Sequence, residues 1–170
     1  LKYKLEMLET PSSLVGVNTS LPNKLVQEGI IGGVIKELQS YDAIKPEQKY
    51  GTNSRVDLLL QGLGLPDCYV EVKNVTLGEN GVAKFPDAVT TRGTRHLQEL
   101  MEIVRNGQRA VMVFCVQRMD CEVFTVADEI DPVYGQTLRQ AAQAGVDIIA
   151  YRCQLCPHEI VMDRPLEVRL

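Results

Sequence analysis

Apolar residues change their spacing along this chain, and each change predicts an element. Leu21, Leu25, Val26 and Ile30 recur at helical intervals. Asn18, Thr19 and Ser20 before them are N-cap candidates, and Pro22 fits a first turn. Leu97, Leu100, Met101 and Val104 repeat the pattern, predicting a helix from Thr90 or Thr91 to the stop at Asn106-Gly107. A third helix runs from Pro132 to Ala144, and Val34–Leu38 reads as a short one. Ala110–Val116 is an unbroken apolar run, the mark of a central buried strand, and Val146–Tyr151 resembles it. Ser54–Leu60 and Cys68–Val75 read as strands joined by the turn-rich Gln61–Asp67, so they pair as a hairpin.

Shorter strand signals lie at Lys2–Leu8, Leu14–Val17, Tyr41–Ala43 and Glu47–Tyr50, the last two broken by Pro46 and Gly51. Gly78–Gly81 reads as a loop, and Val161–Val168 as a short strand or extended tail. Strands and helices in this order predict an α/β fold, a mixed central sheet flanked by helices.

Composition narrows the class. The 170 residues are 45% hydrophobic and 24% charged, as in ordinary globular domains. No stretch is apolar enough to span a membrane, and no signal peptide is visible. The chain starts at Leu1 rather than methionine, which leaves room for residues upstream. A net charge of −4 argues against a uniformly basic nucleic-acid binder, though not against a local basic patch. Five cysteines form no disulfide framework, which points to a reducing cytoplasm. Cys153 and Cys156 with His158 make half of a zinc pattern, but the only other histidine is His96; plain thiols near a strand end are the simpler reading.

The candidate chemistry sits on the predicted hairpin. Asp57 interrupts an apolar run, where an uncompensated carboxylate is costly. Glu71 and Lys73, two apart on the next strand, share a face. If Asp57 faces the same way, two carboxylates and an ammonium converge, a set suited to metal-assisted phosphodiester hydrolysis. The Val72 carbonyl is a candidate further ligand. Arg92, Arg95 and His96 crowd the first turns of the predicted Thr90 helix, where cations oppose the helix dipole, so an anion partner is indicated. Solvated arginines, or pairing with Asp87 and Glu99, is the structural alternative.

These residues are similar to the PD-(D/E)XK nuclease superfamily, and more narrowly to the sugar fermentation stimulation protein family. The similarity is carried by Val17-Asn18-Thr19 with Asn23-Lys24-Leu25, Glu47–Gly51, Ser54-Arg55-Val56-Asp57 and Cys68–Leu77. It continues through Phe85–Thr90 with Arg92-Gly93, His96-Leu97, Glu99–Met101, Gly107–Val111, Ile130-Asp131 with Tyr134, and Ala144–Val146. The resemblance implies that Asp57 and Glu71 bind Mg²⁺ or Mn²⁺, that Lys73 is the catalytic lysine, and that Glu28 on the first helix completes the metal shell. It implies DNA as partner; Arg92, Arg95 and His96, beside the proposed metal patch, are with Arg55 the candidate nucleic-acid-binding residues. It also implies an N-terminal OB-like barrel, of which residues 1–17 look like the last strand and linker, ahead of a nuclease-like domain over 18–170.

Two readings follow: a metal-dependent DNA endonuclease, or a non-catalytic DNA-binding regulator of sugar metabolism genes. Action on RNA ranks below both. The absence of a helix-turn-helix pattern counts against sequence-specific regulation.

Overall fold

A computed structural model describes residues 3–50 and 54–170, and among these it contains three α-helices and twelve strands. Lys2 and Gly51, the expected start of one strand and break of another, lie outside the described residues. Strands β1 (Met7–Glu9) and β2 (Leu14–Gly16) form a small antiparallel pair. Helix α1 (Pro22–Ile31) follows, then a 3₁₀ turn at Lys36–Leu38. Next come β3 (Ala43–Tyr50), β4 (Ser54–Gln61), β5 (Cys68–Val75), β6 (Leu77–Glu79) and β7 (Val82–Phe85). Helix α2 (Thr91–Arg105), β8 (Arg109–Val116), β9 (Val123–Val126) and α3 (Pro132–Gln143) lead to β10 (Asp147–Cys156), β11 (Glu159–Pro165) and β12 (Glu167–Arg169).

The main sheet has the order β11-β10-β8-β5-β4-β3. Its centre, β10-β8-β5, is parallel, and its flanks are antiparallel, which makes it the expected mixed sheet. From Ala110 to Val116 β8 is apolar because both its faces are covered. Val111, Val113 and Cys115 pack toward Leu25, Val26 and Ile30 of α1. Met112, Phe114 and Val116 pack toward Leu97 and Leu100 of α2 and Leu138 of α3.

The structure departs from expectation in several places. β3 is one strand across Pro46, not two short ones. It lies at the sheet edge, where a residue without an N–H removes no ladder bond that the sheet needs. The expected loop at Gly78–Gly81 is the start of a hairpin instead: Asn80 and Gly81 take φ of 51° and 81°, the left-handed pair that joins β6 to β7. That hairpin belongs to a second sheet, β12-β9-β7-β6, which the sequence pattern did not predict. The α1 N-terminus at Leu21 has no side-chain cap; Asn18 Oδ1 accepts from the Ser20 N–H instead.

The thiols are packing groups. Cys153 and Cys156 are three apart on β10, so they point to opposite faces. Cys153 is buried with its Sγ 3.7 Å from that of Cys115, and all five cysteines are free. The Cys-x-x-Cys pattern is therefore no half of a zinc site.

Candidate active site

The site forms where two strands part. β4 and β5 pair only at Leu58↔Val70, Leu59↔Tyr69 and Leu60↔Cys68. Continued by one residue, that register sets Asp57 opposite Glu71. There the ladder stops, while β4 continues along β3 and β5 along β8. The Val72 N–H, released from the ladder, donates to Asp57 Oδ2 at 2.7 Å. Asn23 of α1 donates to Asp57 Oδ1 at 2.8 Å. A strand residue turns its N–H and C=O to the same edge, so the Val72 carbonyl faces this gap too.

Glu71 is 4% exposed, on the face of β5 that meets α2. Its Oε1 accepts from Lys73 Nζ at 2.7 Å and is in close contact with His96 Nδ1. Arg92 Nε donates to His96 Nε2 at 3.3 Å. That bond needs a lone pair on Nε2, so the network assigns the proton to Nδ1, directed at Glu71. Glu71 Oε2 accepts no hydrogen bond among the described residues.

The two carboxylates are tuned apart. Burial pushes the Asp57 pKa up, the Glu71 charge adds to the rise, and the Val72 N–H and Asn23 partly offset it. Burial also acts upward on Glu71, but the hydrogen bond from His96 and the Lys73 charge outweigh it, so its pKa is lowered. Glu71 is thus ionised in place, and Asp57 is a carboxylate that gains from a cation.

Helix α2 forms one wall, and its start is tied from behind. The buried Asp131, N-cap of α3, accepts from the Tyr134 N–H through Oδ1 and from the Thr90 N–H through Oδ2. Thr90 in turn caps α2 by accepting from the Gly93 N–H. One carboxylate therefore fixes the starts of two helices. The resulting open cleft of about 280 Å³ is lined by Asn23, Asp57, Glu71, Val72, Lys73, Thr90, Arg92 and His96, among others.

The structure thus gathers Asp57, Glu71, Val72, Lys73, Arg92 and His96. His96 sits inside the network rather than on an open binding face. Arg95 is exposed one turn along from Arg92, and Arg55 is exposed on β4, two residues from Asp57. Glu28 is not in the site. Its side chain is 55% exposed, 3.6 Å from Lys24, and lines a different cleft with Glu6 and His158. On α1 the residue that reaches Asp57 is Asn23, and a position five residues later lies about 140° around the helix. Asn23 and Asp131 were missed as site residues. Asp131 before Pro132 is an N-cap signal; for Asn23 no local pattern reveals its reach.

The arginines divide sharply. Of the ten, seven pair with carboxylates: Arg105, Arg109, Arg118, Arg139, Arg152, Arg164 and Arg169. Arg55, Arg92 and Arg95 pair with none among the described residues, so the alternative of Arg92 and Arg95 tied to Asp87 and Glu99 does not hold.

Among the described residues no three His, Cys, Asp or Glu side chains gather as a ready metal-binding set. The protein oxygens that converge are those of Asp57 and Glu71, with the Val72 carbonyl. That donor set fits a hard cation such as Mg²⁺ or Ca²⁺, which takes oxygen ligands and keeps water in its remaining positions.

Comparison with known proteins agrees over most of the length. The profile of the sugar fermentation stimulation protein RE domain matches residues 20–159. A sugar fermentation stimulation protein homolog of Geobacter sulfurreducens is 55% identical over 168 residues, which span 99% of this chain and 72% of that protein. The homolog of Paramagnetospirillum magneticum is 52% identical over 170 residues, 100% of this chain and 72% of the relative. The solved structure of SfsA from Pyrococcus furiosus, in complex with Ca²⁺, superimposes with a TM-score of 0.90 at 30% identity, covering 98% of this chain and 71% of that one. Among the described residues no helix is long and apolar enough to cross a membrane. On these matches, this chain belongs to the sugar fermentation stimulation protein family.

Proposed function

We propose that the cleft between β4 and β5 is the active centre of a metal-dependent endonuclease acting on DNA, on a PD-(D/E)XK nuclease-like core. The observation that carries this reading is the facing pair Asp57 and Glu71 with Lys73 within hydrogen-bond distance of Glu71. The Ca²⁺ bound by the Pyrococcus relative supports a divalent cation here. Asp57, Glu71 and the Val72 carbonyl would hold Mg²⁺ or Mn²⁺. When bound, the metal supplies Lewis-acid polarisation of a phosphate oxygen and a water of lowered pKa.

The chain's own groups do the rest. Asn23 and the Val72 N–H fix Asp57 with its remaining lone pairs toward the gap. Lys73, whose ammonium lies 2.7 Å from Glu71 Oε1, would donate to the attacking water or to the scissile phosphate. His96 holds Glu71 from the α2 side and is itself held by Arg92. Arg92, Arg95 and Arg55 offer unneutralised guanidinium groups to backbone phosphates around the cleft.

A second reading, a DNA-binding regulator that does not cut, is favoured by one observation: Glu71 is already doubly occupied at Oε1. One experiment separates the two. Supercoiled plasmid is incubated with the protein and Mn²⁺, beside Lys73→Ala. Nicking by the wild type that the variant lacks supports the endonuclease. Retained DNA binding without nicking, of DNA or of an RNA substrate, supports the regulator.

A further inference from the structure

One side chain stands between the two ligands of the cleft. Arg92, in the first turn of α2, lines the cleft together with His96 and Glu71. Its Nε donates to His96 Nε2 at 3.3 Å. Its two terminal nitrogens donate to nothing among the described residues, so the guanidinium is used on one edge only. His96 Nδ1 in turn is in close contact with Glu71 Oε1. The two partners select the same state of the ring from opposite sides. Arg92 needs a lone pair on Nε2, and the Glu71 carboxylate needs a proton on Nδ1. The other tautomer would turn a lone pair on the carboxylate and an N–H on the guanidinium. A chain of two hydrogen bonds thus joins an exposed guanidinium to a buried carboxylate.

We infer that Arg92 couples DNA binding to cation binding: a phosphate held on its terminal nitrogens strengthens, through His96, the hold of Glu71 on the metal. This rests on the reading of the cleft as a metal-dependent DNA site. No carboxylate restrains the outer end of Arg92, so its bond to His96 competes with the rotamer freedom of a long exposed side chain. A phosphate taken end-on by the fork removes that freedom. The Nε–H then stays on His96, His96 keeps its proton directed at Glu71, and the carboxylate is held in place for a cation. By reciprocity the cation raises DNA affinity by the same factor. Ordering one such side chain sets the size of the coupling, about 2- to 10-fold.

The test compares Arg92→Gln with Arg92→Met in the full chain. Both variants are uncharged at this position; Gln keeps an N–H at the place of Nε and Met does not. Ca²⁺ affinity is measured by calorimetry with and without a short DNA duplex, and melting temperature shows that each variant is folded. In the wild type the duplex should raise Ca²⁺ affinity, and both variants should lose about 2- to 10-fold of that enhancement. Without DNA, Arg92→Met should bind Ca²⁺ more weakly than Arg92→Gln. Charge alone would act on both alike, and in the direction of tighter binding. In a His96→Ala background, Arg92→Met should change nothing further, because the link is already cut. Equal enhancement in the three proteins overturns the inference, as do equal Ca²⁺ affinities of the Gln and Met variants without DNA. So does an undiminished Arg92→Met effect in the His96→Ala background, which makes Arg92 a phosphate contact alone. Those results, in a wild type that binds Ca²⁺, end the coupling and leave the metal reading standing. A wild type that binds no Ca²⁺ ends the metal reading, and the coupling with it.

Discussion

Arginine does opposite things at the two ends of the main sheet. At the β10–β11 end, Arg152 donates to Glu122 at 2.9 Å and to Asp163 at 2.7 Å, and Arg164 shares Glu122. At the β4–α2 end, Arg55, Arg92 and Arg95 face solvent, and no described carboxylate pairs with them. The chain as a whole carries a net charge of −4. Acids were therefore available, and the unpaired cations are a property of this one region rather than of the composition. Paired arginines tie strands together; unpaired ones around a cleft keep their charge for something outside the molecule.

The largest test of this contrast is inside the cleft. Lys73→Ala is expected to lower plasmid nicking about 10²- to 10³-fold while DNA affinity changes much less, because the surrounding arginines still hold the backbone. Gel-shift and cleavage rates measured together check it. Equal losses in both would make Lys73 a binding residue only.

At the other end of the sheet the effect should fall on stability. Arg152 is buried, and removing it takes the close donor from Asp163 and leaves Glu122 to Arg164 alone. Arg152→Ala is expected to lower unfolding stability by about 2 kcal/mol in urea, with DNA binding untouched. A change in DNA affinity would erase the distinction between the two ends.

A third test uses pH. Asp120 is held well below the usual aspartate range by the Arg118 guanidinium, with the Ser12 hydroxyl assisting. A carboxylate lowered in the folded state adds stability above its unfolded pKa and loses it as pH falls through the folded value. Stability should therefore decline as pH drops below about 3.8, the ordinary aspartate value. Asp120→Asn should flatten that part of the curve in urea midpoints taken across pH. The same slope in the variant would move the effect to another acid.

Smaller still are the free arginines taken singly. Arg92→Gln and Arg95→Gln should each reduce the slope of log affinity against log salt by about 0.9 on duplex DNA. Stability should stay within about 0.5 kcal/mol. An unchanged slope would mean that these side chains are solvated and nothing more. The smallest expected effect is Glu28→Gln, which should alter neither cleavage nor cation affinity. A lost metal shell in that variant would put the helical acid back into the site and contradict its exposure.

Sequence pattern revealed the long elements and the strand-borne chemistry. The α2 boundaries followed from Thr90 and from Asn106-Gly107, and β8 from its unbroken apolar run. Alternation alone put Glu71 and Lys73 on one face. What escaped depended on distance in space. The second sheet is built from strands of three or four residues, too short for a period to declare itself. The reach of Asn23 rather than Glu28 toward Asp57 follows from how α1 is rotated on the sheet, which helical spacing does not reveal. His96 read as a cation for DNA because nothing local ties it to Glu71, 25 residues earlier. Asp131 acts across 41 residues on Thr90, and only the fold brings them together.

Pro46 carries a consequence beyond the shape of β3. The outer rim of the main sheet would otherwise be a free row of donors and acceptors eight residues long. Pro46 has no N–H to offer there, Glu47 beside it turns into the left-handed region at φ 53°, and Lys45 and Lys49 flank both. A second copy approaching this rim would meet a missing donor, a kink and repelling ammonium groups. The sheet is closed to growth in that direction. Crowded molecules are thereby kept from zipping rim to rim into fibres.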